Sequence, residues 1–114
     1  MEYIIDKTFN GKLDMDDNGE FIIHTETGIA NISKILDDIF TSQLRPLVYV
    51  KIYKNGKLIF EEDGGLFLHT DDQKVQSYFV CSMNLSKLLF YETDNFLEIT
   101  IKQRRKSGNG NGTK

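Results

Sequence analysis

Residues 10–25 read NGKLDMDDNGEFIIHT and residues 55–70 read NGKLIFEEDGGLFLHT. Placed one on the other at a spacing of 45 positions, they share Asn10/Asn55, Gly11/Gly56, Lys12/Lys57, Leu13/Leu58, Gly19/Gly64, His24/His69 and Thr25/Thr70. Self-similarity at a fixed spacing is the mark of tandem structural units. The agreement continues downstream: NISKIL at 31–36 answers NLSKLL at 84–89, and VYVKI at 48–52 answers LEITI at 97–101. An insertion from Asp71 to Met83 separates the two stretches of agreement in the second copy. This collinear order predicts two units, about 10–54 and 55–102, joined through TSQLRP.

The elements of each unit follow from local chemistry. Asn10-Gly11 and Asn55-Gly56 carry the strongest short hairpin signal, because a type I′ turn needs positive φ at both central residues. DDNG at 16–19 and EEDGG at 61–65 then predict a second turn. FIIHT and LFLHT read as short buried strands. From residue 29 to 40 the period changes: Ile32, Ile35, Leu36, Ile39 and Phe40 fall on one helical face, with Lys34, Asp37 and Asp38 opposite. Asn31 or Ser33 is the expected cap, and a shorter helix is expected to begin near Asn84. LVYVKIYK and FLEITIKQ alternate apolar and polar residues as half-buried strands do. Pro46 disfavours a helical Arg45, so the first helix should stop near Gln43 with Arg45 extended. A further strand over Tyr3 to Lys7 precedes the first unit.

The predicted fold is α+β: two pseudo-two-fold ββαβ units forming a small, mostly antiparallel or mixed, β-barrel-like sheet with two helices. A unit of about 45 residues buries too little apolar surface to stand alone, so both should share one core. That core spans residues 1–102 as a single domain, and 103–114, ending SGNGNGTK, is expected to be a flexible basic tail. Two ββαβ halves in tandem resemble the double-psi β-barrel in element order over most of residues 10–102. The chain also resembles short accessory proteins of phages and plasmids of low-GC bacteria. The barrel class includes decarboxylases, polymerase cores and adaptor domains, so the resemblance implies a fold and leaves the activity open.

Composition narrows the function classes. The chain has 114 residues and a formal net charge of −3. Lys102, Arg104, Arg105, Lys106 and Lys114 all fall in the last 13 residues, which leaves nine basic against seventeen acidic residues, or −8, on residues 1–101. An acidic body favours basic partner surfaces, and a basic end can touch phosphate or an acidic groove. No apolar run reaches the ~18–20 residues of a membrane span, and MEYIIDKTFN lacks the pattern of an export signal. With Cys81 as the single cysteine, an internal disulfide is excluded. A soluble cytoplasmic protein is therefore expected.

The candidate sites each have a plain structural reading. Asp14, Asp16, Asn18 and Gly19 match part of a calcium loop, but position twelve is Thr25 instead of a bidentate glutamate, so a hairpin turn is expected. His24 and His69 are placed as equivalents, without the spacing of any zinc motif. Cys81 lies in the apolar run YFVCSM and is expected to be buried. No catalytic, metal or cofactor site is predicted. The candidate contacts are Lys102, Arg104, Arg105 and Lys106 for nucleic acid or an acidic partner, and Tyr49, Tyr53 and Tyr78 for a protein interface. The expected function is a small non-enzymatic binding or regulatory protein, an accessory factor of a mobile element, acting by protein contacts through its acidic body. The alternative is a nucleic-acid-binding protein using the basic end. A homodimer would be compatible with either.

Overall fold

Alternating apolar residues build the centre of the molecule. In β4 (Leu47–Lys54) every second side chain, Val48, Val50 and Ile52, is fully buried, and in β8 (Phe96–Arg104) Leu97, Ile99 and Ile101 are buried in the same way. These two strands pair antiparallel, Ile52 opposite Ile99 and Val50 opposite Ile101. The computed structural model describes residues 3–105. Around the central pair the chain adds β1 (Tyr3–Met15), β2 (Phe21–Thr25), β3 (Gly28–Asn31), α1 (Ile32–Ser42), β5 (Lys57–Thr70), β6 (Gln76–Val80), β7 (Met83–Asn84) and α2 (Leu85–Tyr91). The fold is α+β, an eight-stranded antiparallel sheet in the order β3-β2-β1-β8-β4-β5-β6-β7 with two helices. The sheet is open. Among the described residues β3 and β7 form its edges, which corrects the barrel-like closure expected from sequence.

The chain order of elements is βββαβ followed by βββαβ. When β1 to β4 are matched with β5 to β8, the strand order reads the same from either edge. Local devices recur in matched places. Asn31 caps α1 by accepting from the Lys34 N–H at 2.9 Å, and Asn84 caps α2 by accepting from the Lys87 N–H at 2.9 Å. Two residues on, Ser33 Oγ accepts from Phe21 N–H and Ser86 Oγ accepts from Tyr78 N–H, each at 2.8 Å, tying α1 to β2 and α2 to β6. The β1–β2 turn hangs on Asp16, whose carboxylate accepts from Asn18 and Glu20. The β5–β6 turn hangs on Asp71, whose carboxylate accepts from Gln73 and Val75. Arg45 and Asp94, each just before a final strand, both have positive φ, 53° and 74°. Arg45 is thus left-handed instead of extended; Pro46 forbids only the right-handed helical region.

The correspondence of residues 10–25 with 55–70 does not survive in space. Residues 10–25 cover the end of β1, a turn and β2, whereas 55–70 cover a turn and one unbroken strand, β5. Asn55-Gly56 makes the expected turn, with φ of 53° and 77°. Asn10-Gly11 does not; it lies inside β1, opposite Glu98 and Leu97. Its glycine answers a different demand, since a Cβ there would sit 1.9 Å from the His24 carbonyl oxygen. Gly64 is likewise pressed, since a Cβ there would meet Cys81 Sγ, and EEDGG lies within β5 where a turn was expected. Both glycines lie where a long strand changes partners: β1 from β8 to β2, and β5 from β4 to β6. The stretch from Asp71 to Met83 that looked like an insertion supplies the turn and β6, the counterparts of the β1–β2 turn and β2.

Both helices cover one face of the sheet. Ile32, Leu36 and Ile39 of α1 and Leu85 and Leu89 of α2 join a single core with the buried residues of β4 and β8. α1 also reaches across: the Tyr78 hydroxyl donates to Asp37, and the Phe40 and Tyr78 rings meet edge to face at 5.8 Å. β8 runs through Arg104, with Gln103 only 1% exposed and donating to Ser42 Oγ at 2.9 Å. The ordered body therefore extends past residue 102, and Lys102 and Arg104 belong to the sheet instead of a tail. Lys106 and the residues after it lie outside the described residues.

The close approach at Gly11 sets a testable cost. Gly11→Ala should lower the unfolding free energy in urea by about 2–4 kcal/mol, because backbone must move to admit the methyl group. Gly19→Ala, with open space around it but a φ of +79°, should cost only about 1 kcal/mol.

Candidate functional site

Strand alternation that buries valine and isoleucine on one side puts a different chemistry on the other. On the face away from the helices, paired positions form rows across β1, β8, β4 and β5. One row runs Asp6, Lys102, Tyr49, Asp63; the next runs Thr8, Thr100, Lys51, Glu61; a third runs Asn10, Glu98, Tyr53. Lys102 Nζ stands 4.9 Å from the Tyr3 ring centre, 5.7 Å from that of Tyr49 and 4.0 Å from Asp6. Arg104 bonds to Asp63 across the intervening strand. Lys51 Nζ lies 5.4 Å from the Tyr53 ring centre. Thr8 and Thr100 hydroxyls meet at 3.0 Å. Cation–π contacts of this kind contribute ~0.5–1 kcal/mol at exposed sites.

The carboxylates on this face set its titration. Tyr49 donates to Glu61 at 2.6 Å, and this bond, with partial burial and the Glu61 charge, pushes the phenol up to about 12. Near one end of the face, Asp14 is held below the usual carboxylate range by the Met15 N–H and then by His24, 3.3 Å away. Glu92, after α2, is also lowered, first by Lys54 at 3.0 Å across to the end of β4.

At the β4–β5 turn the face opens into a cleft of about 1040 Å³. Residues 8–11 of β1, 24–27 at the end of the β2–β3 hairpin, Tyr53, Asn55, Gly56 and residues 96–98 of β8 line it. Phe96 is 67% exposed there, a large ring left in solvent beside polar groups.

Lys102, Arg104, Tyr49 and Tyr53, proposed from sequence as two separate sets, thus come together on one surface. Arg105 is exposed just past β8, and Lys106 is outside the described residues. Tyr78 is on the opposite face, 8% exposed and bonded to Asp37, so it belongs to the core and not to an interface. His24 and His69 are not equivalents: His24 is on β2 beside Asp14, whereas His69 is on β5 with its ring 6.1 Å from Phe79. Cys81 is exposed in the β6–β7 turn with a φ of 55°, because the apolar run it ends is cut by a hairpin. Of the calcium-like residues, Asp14 lies in β1 opposite Ile22 while Asp16, Asn18 and Gly19 form the β1–β2 turn, and Asp16 spends its carboxylate on the backbone N–H groups of Asn18 and Glu20. Sequence reasoning missed Tyr3, Lys51, Glu61 and Phe96. The period-two pattern of β4 and β8 held the signal for Lys51 and Glu98; Glu61 joins through the neighbouring β4–β5 hairpin, and Tyr3 through the pairing of β1 with β8, far apart in the chain.

No helix among the described residues is long and apolar enough to cross a membrane. No protein family, curated protein or solved structure matches the chain.

The raised Tyr49 phenol has a stability consequence. A tyrosine with a folded-state pKa above its unfolded value of about 10 adds stability that is complete below that pH and fades as pH climbs through the folded value. Unfolding midpoints should therefore fall between the ordinary tyrosine range and about 12. Glu61→Gln should bring the Tyr49 titration, followed by tyrosinate absorbance against Tyr49→Phe, back toward 10. An unmoved titration would show that Glu61 is not its cause.

Proposed function

We propose that this chain is a small cytoplasmic binding protein, not an enzyme, that acts by holding a partner protein on the outer face of β1, β8, β4 and β5. The observation that carries this reading is the interleaving of charge on a tyrosine-bearing sheet. Lys102 is matched by Asp6, Arg104 by Asp63, and Tyr49 by Glu61. A polyanion would have to displace carboxylates from the cations it needs, whereas a protein surface of mixed sign can pair with both. Tyrosines supply large contact area at low entropic cost and are enriched among binding anchors. The acidic body suits an accessory factor of a mobile element that occupies a basic surface on its target. The recurrence of caps, turns and positive-φ residues in the two βββαβ halves supports an origin by duplication of one unit.

A specific observation favours nucleic acid as the second reading: Lys102 lies between two tyrosine rings with Arg104 nearby, and Arg105 is exposed just past β8. Four phosphate contacts, counting Lys106, would give a slope of about −3 to −4 in log affinity against log salt. The two readings separate cleanly. Partners captured from the native host should protect residues 47–54 and 98–104 from hydrogen exchange, and Tyr49→Ala should weaken the captured complex about tenfold or more. Labelled single-stranded DNA and RNA should bind no better than millimolar at physiological salt. Micromolar, salt-sensitive binding lost in Lys102→Ala/Arg104→Ala would replace the first reading with the second.

A further inference from the structure

Most charges on the outer face are satisfied within it, and the cleft is the exception. Its lining holds two carboxylates, Glu26 and Glu98, and no lysine or arginine. Among the described residues neither carboxylate has a hydrogen-bond or ion-pair partner, in contrast to Asp6, Glu61 and Asp63. Glu98 registers opposite Tyr53 on one side and Asn10 on the other, and Phe96 stands two residues before it in β8. Asn55 adds a second side-chain amide. The site therefore offers free anionic oxygens, exposed aromatic surface and amide oxygens within one concavity.

That combination selects a cation, and among cations a planar one. A guanidinium can stack on a ring while its fork of N–H donors engages a carboxylate in two parallel bonds and leaves donors over for an amide. A lysine ammonium, compact and strongly hydrated, would use the charge but not the plane. Lys51 already rests against Tyr53, so Phe96 is the ring left for the incoming group. The volume, about 1040 Å³, lies just above the roughly 300–1,000 Å³ of small-molecule sites, which suits a short peptide more than a lone side chain. Counting Lys102, Arg104 and Arg105 with the body, twelve basic against seventeen acidic residues leave a formal −5 on residues 1–105, which draws such a segment toward the molecule. We infer that the cleft is a receptor for an arginine-bearing segment of the partner protein, with Glu98 and Phe96 at its centre and Glu26 closing it from the β2–β3 hairpin. This rests on the protein-binding reading and names the chemistry of the partner.

The test uses a fluorescein-labelled peptide of four Arg-Gly-Ser repeats, its lysine counterpart, and fluorescence polarisation with the full chain. The arginine peptide should bind more tightly than the lysine one. Glu26→Gln/Glu98→Gln should weaken it about tenfold, and Phe96→Ala about fivefold, as expected for loss of charge-assisted bonds and ring contact. All three positions are exposed, and melting curves will verify folding. Asp17→Asn/Asp72→Asn removes the same charge elsewhere on the surface and should change affinity by less than about twofold. Equal losses in the two double variants would reduce the effect to diffuse attraction and overturn the inference, as would equal affinity for the two peptides or no binding. A native partner that depends on Tyr49 but binds Glu98→Gln as well as the parent chain would overturn this inference and leave the protein-binding reading standing. A native complex insensitive to Tyr49→Ala would remove that reading instead.

Discussion

The antiparallel pairing of β4 with β8 is the constraint on which the rest of the molecule depends. Each of these strands closes its own half of the chain, yet each also pairs with the opening strand of the other half: β4 with β5, and β8 with β1. Without β8, strands β1 to β3 have no connection to β4, and without β4 the strands β5 to β7 lose theirs. The halves are therefore interleaved. Their shared core, with Val48, Val50, Ile52, Leu97, Ile99 and Ile101 buried under two helices, gives a chain of this size the apolar burial that a fragment of about 50 residues lacks.

The same pairing generates the surface. Alternation obliges a strand that buries Val48, Val50 and Ile52 to present Tyr49, Lys51 and Tyr53 on the opposite side, and a strand that buries Ile99 and Ile101 to present Glu98, Thr100 and Lys102. Juxtaposing β4 and β8 thus assembles tyrosines and cations far apart in sequence into adjacent rows. The edges differ in kind. Gly11 lets the end of β2 pass close to β1, and the hairpin beyond it contributes residues 24–27 to the cleft, so a backbone accommodation in the core becomes a wall of the candidate site. In the other half the corresponding pressure falls on Gly64 from Cys81, and that side holds a smaller pocket of about 280 Å³ lined by Phe67, Leu68, His69, Phe79 and Cys81. Similar frameworks thus carry different surfaces.

Charge placement follows the same logic. A strand end near the chain terminus looked like a basic tail, but Gln103 is buried and hydrogen-bonded to Ser42, which holds Lys102 and Arg104 in the sheet beside Asp6 and Asp63. Cations that would be free on a solvated tail are neutralised where they stand. In the cleft, by contrast, Glu26 and Glu98 have no ion-pair or hydrogen-bond partner among the described residues.

Sequence alone determined the features that local chemistry controls. The helix beginning after Asn31, its shorter relative after Asn84, the Asn55-Gly56 turn and the alternating strands at 47–54 and 96–103 were all legible, because caps, turns and periodicity act over a few residues. Tertiary structure alone decided the rest. Asn10-Gly11 has the same letters as Asn55-Gly56 but lies within a strand, since β8 on one side and the His24 carbonyl on the other fix its backbone. Which residues correspond between halves, whether Tyr78 faces a partner or the core, and the gathering of Tyr49, Lys102 and Glu98 on one face depend on strand order, which long-range burial sets and no local signal encodes.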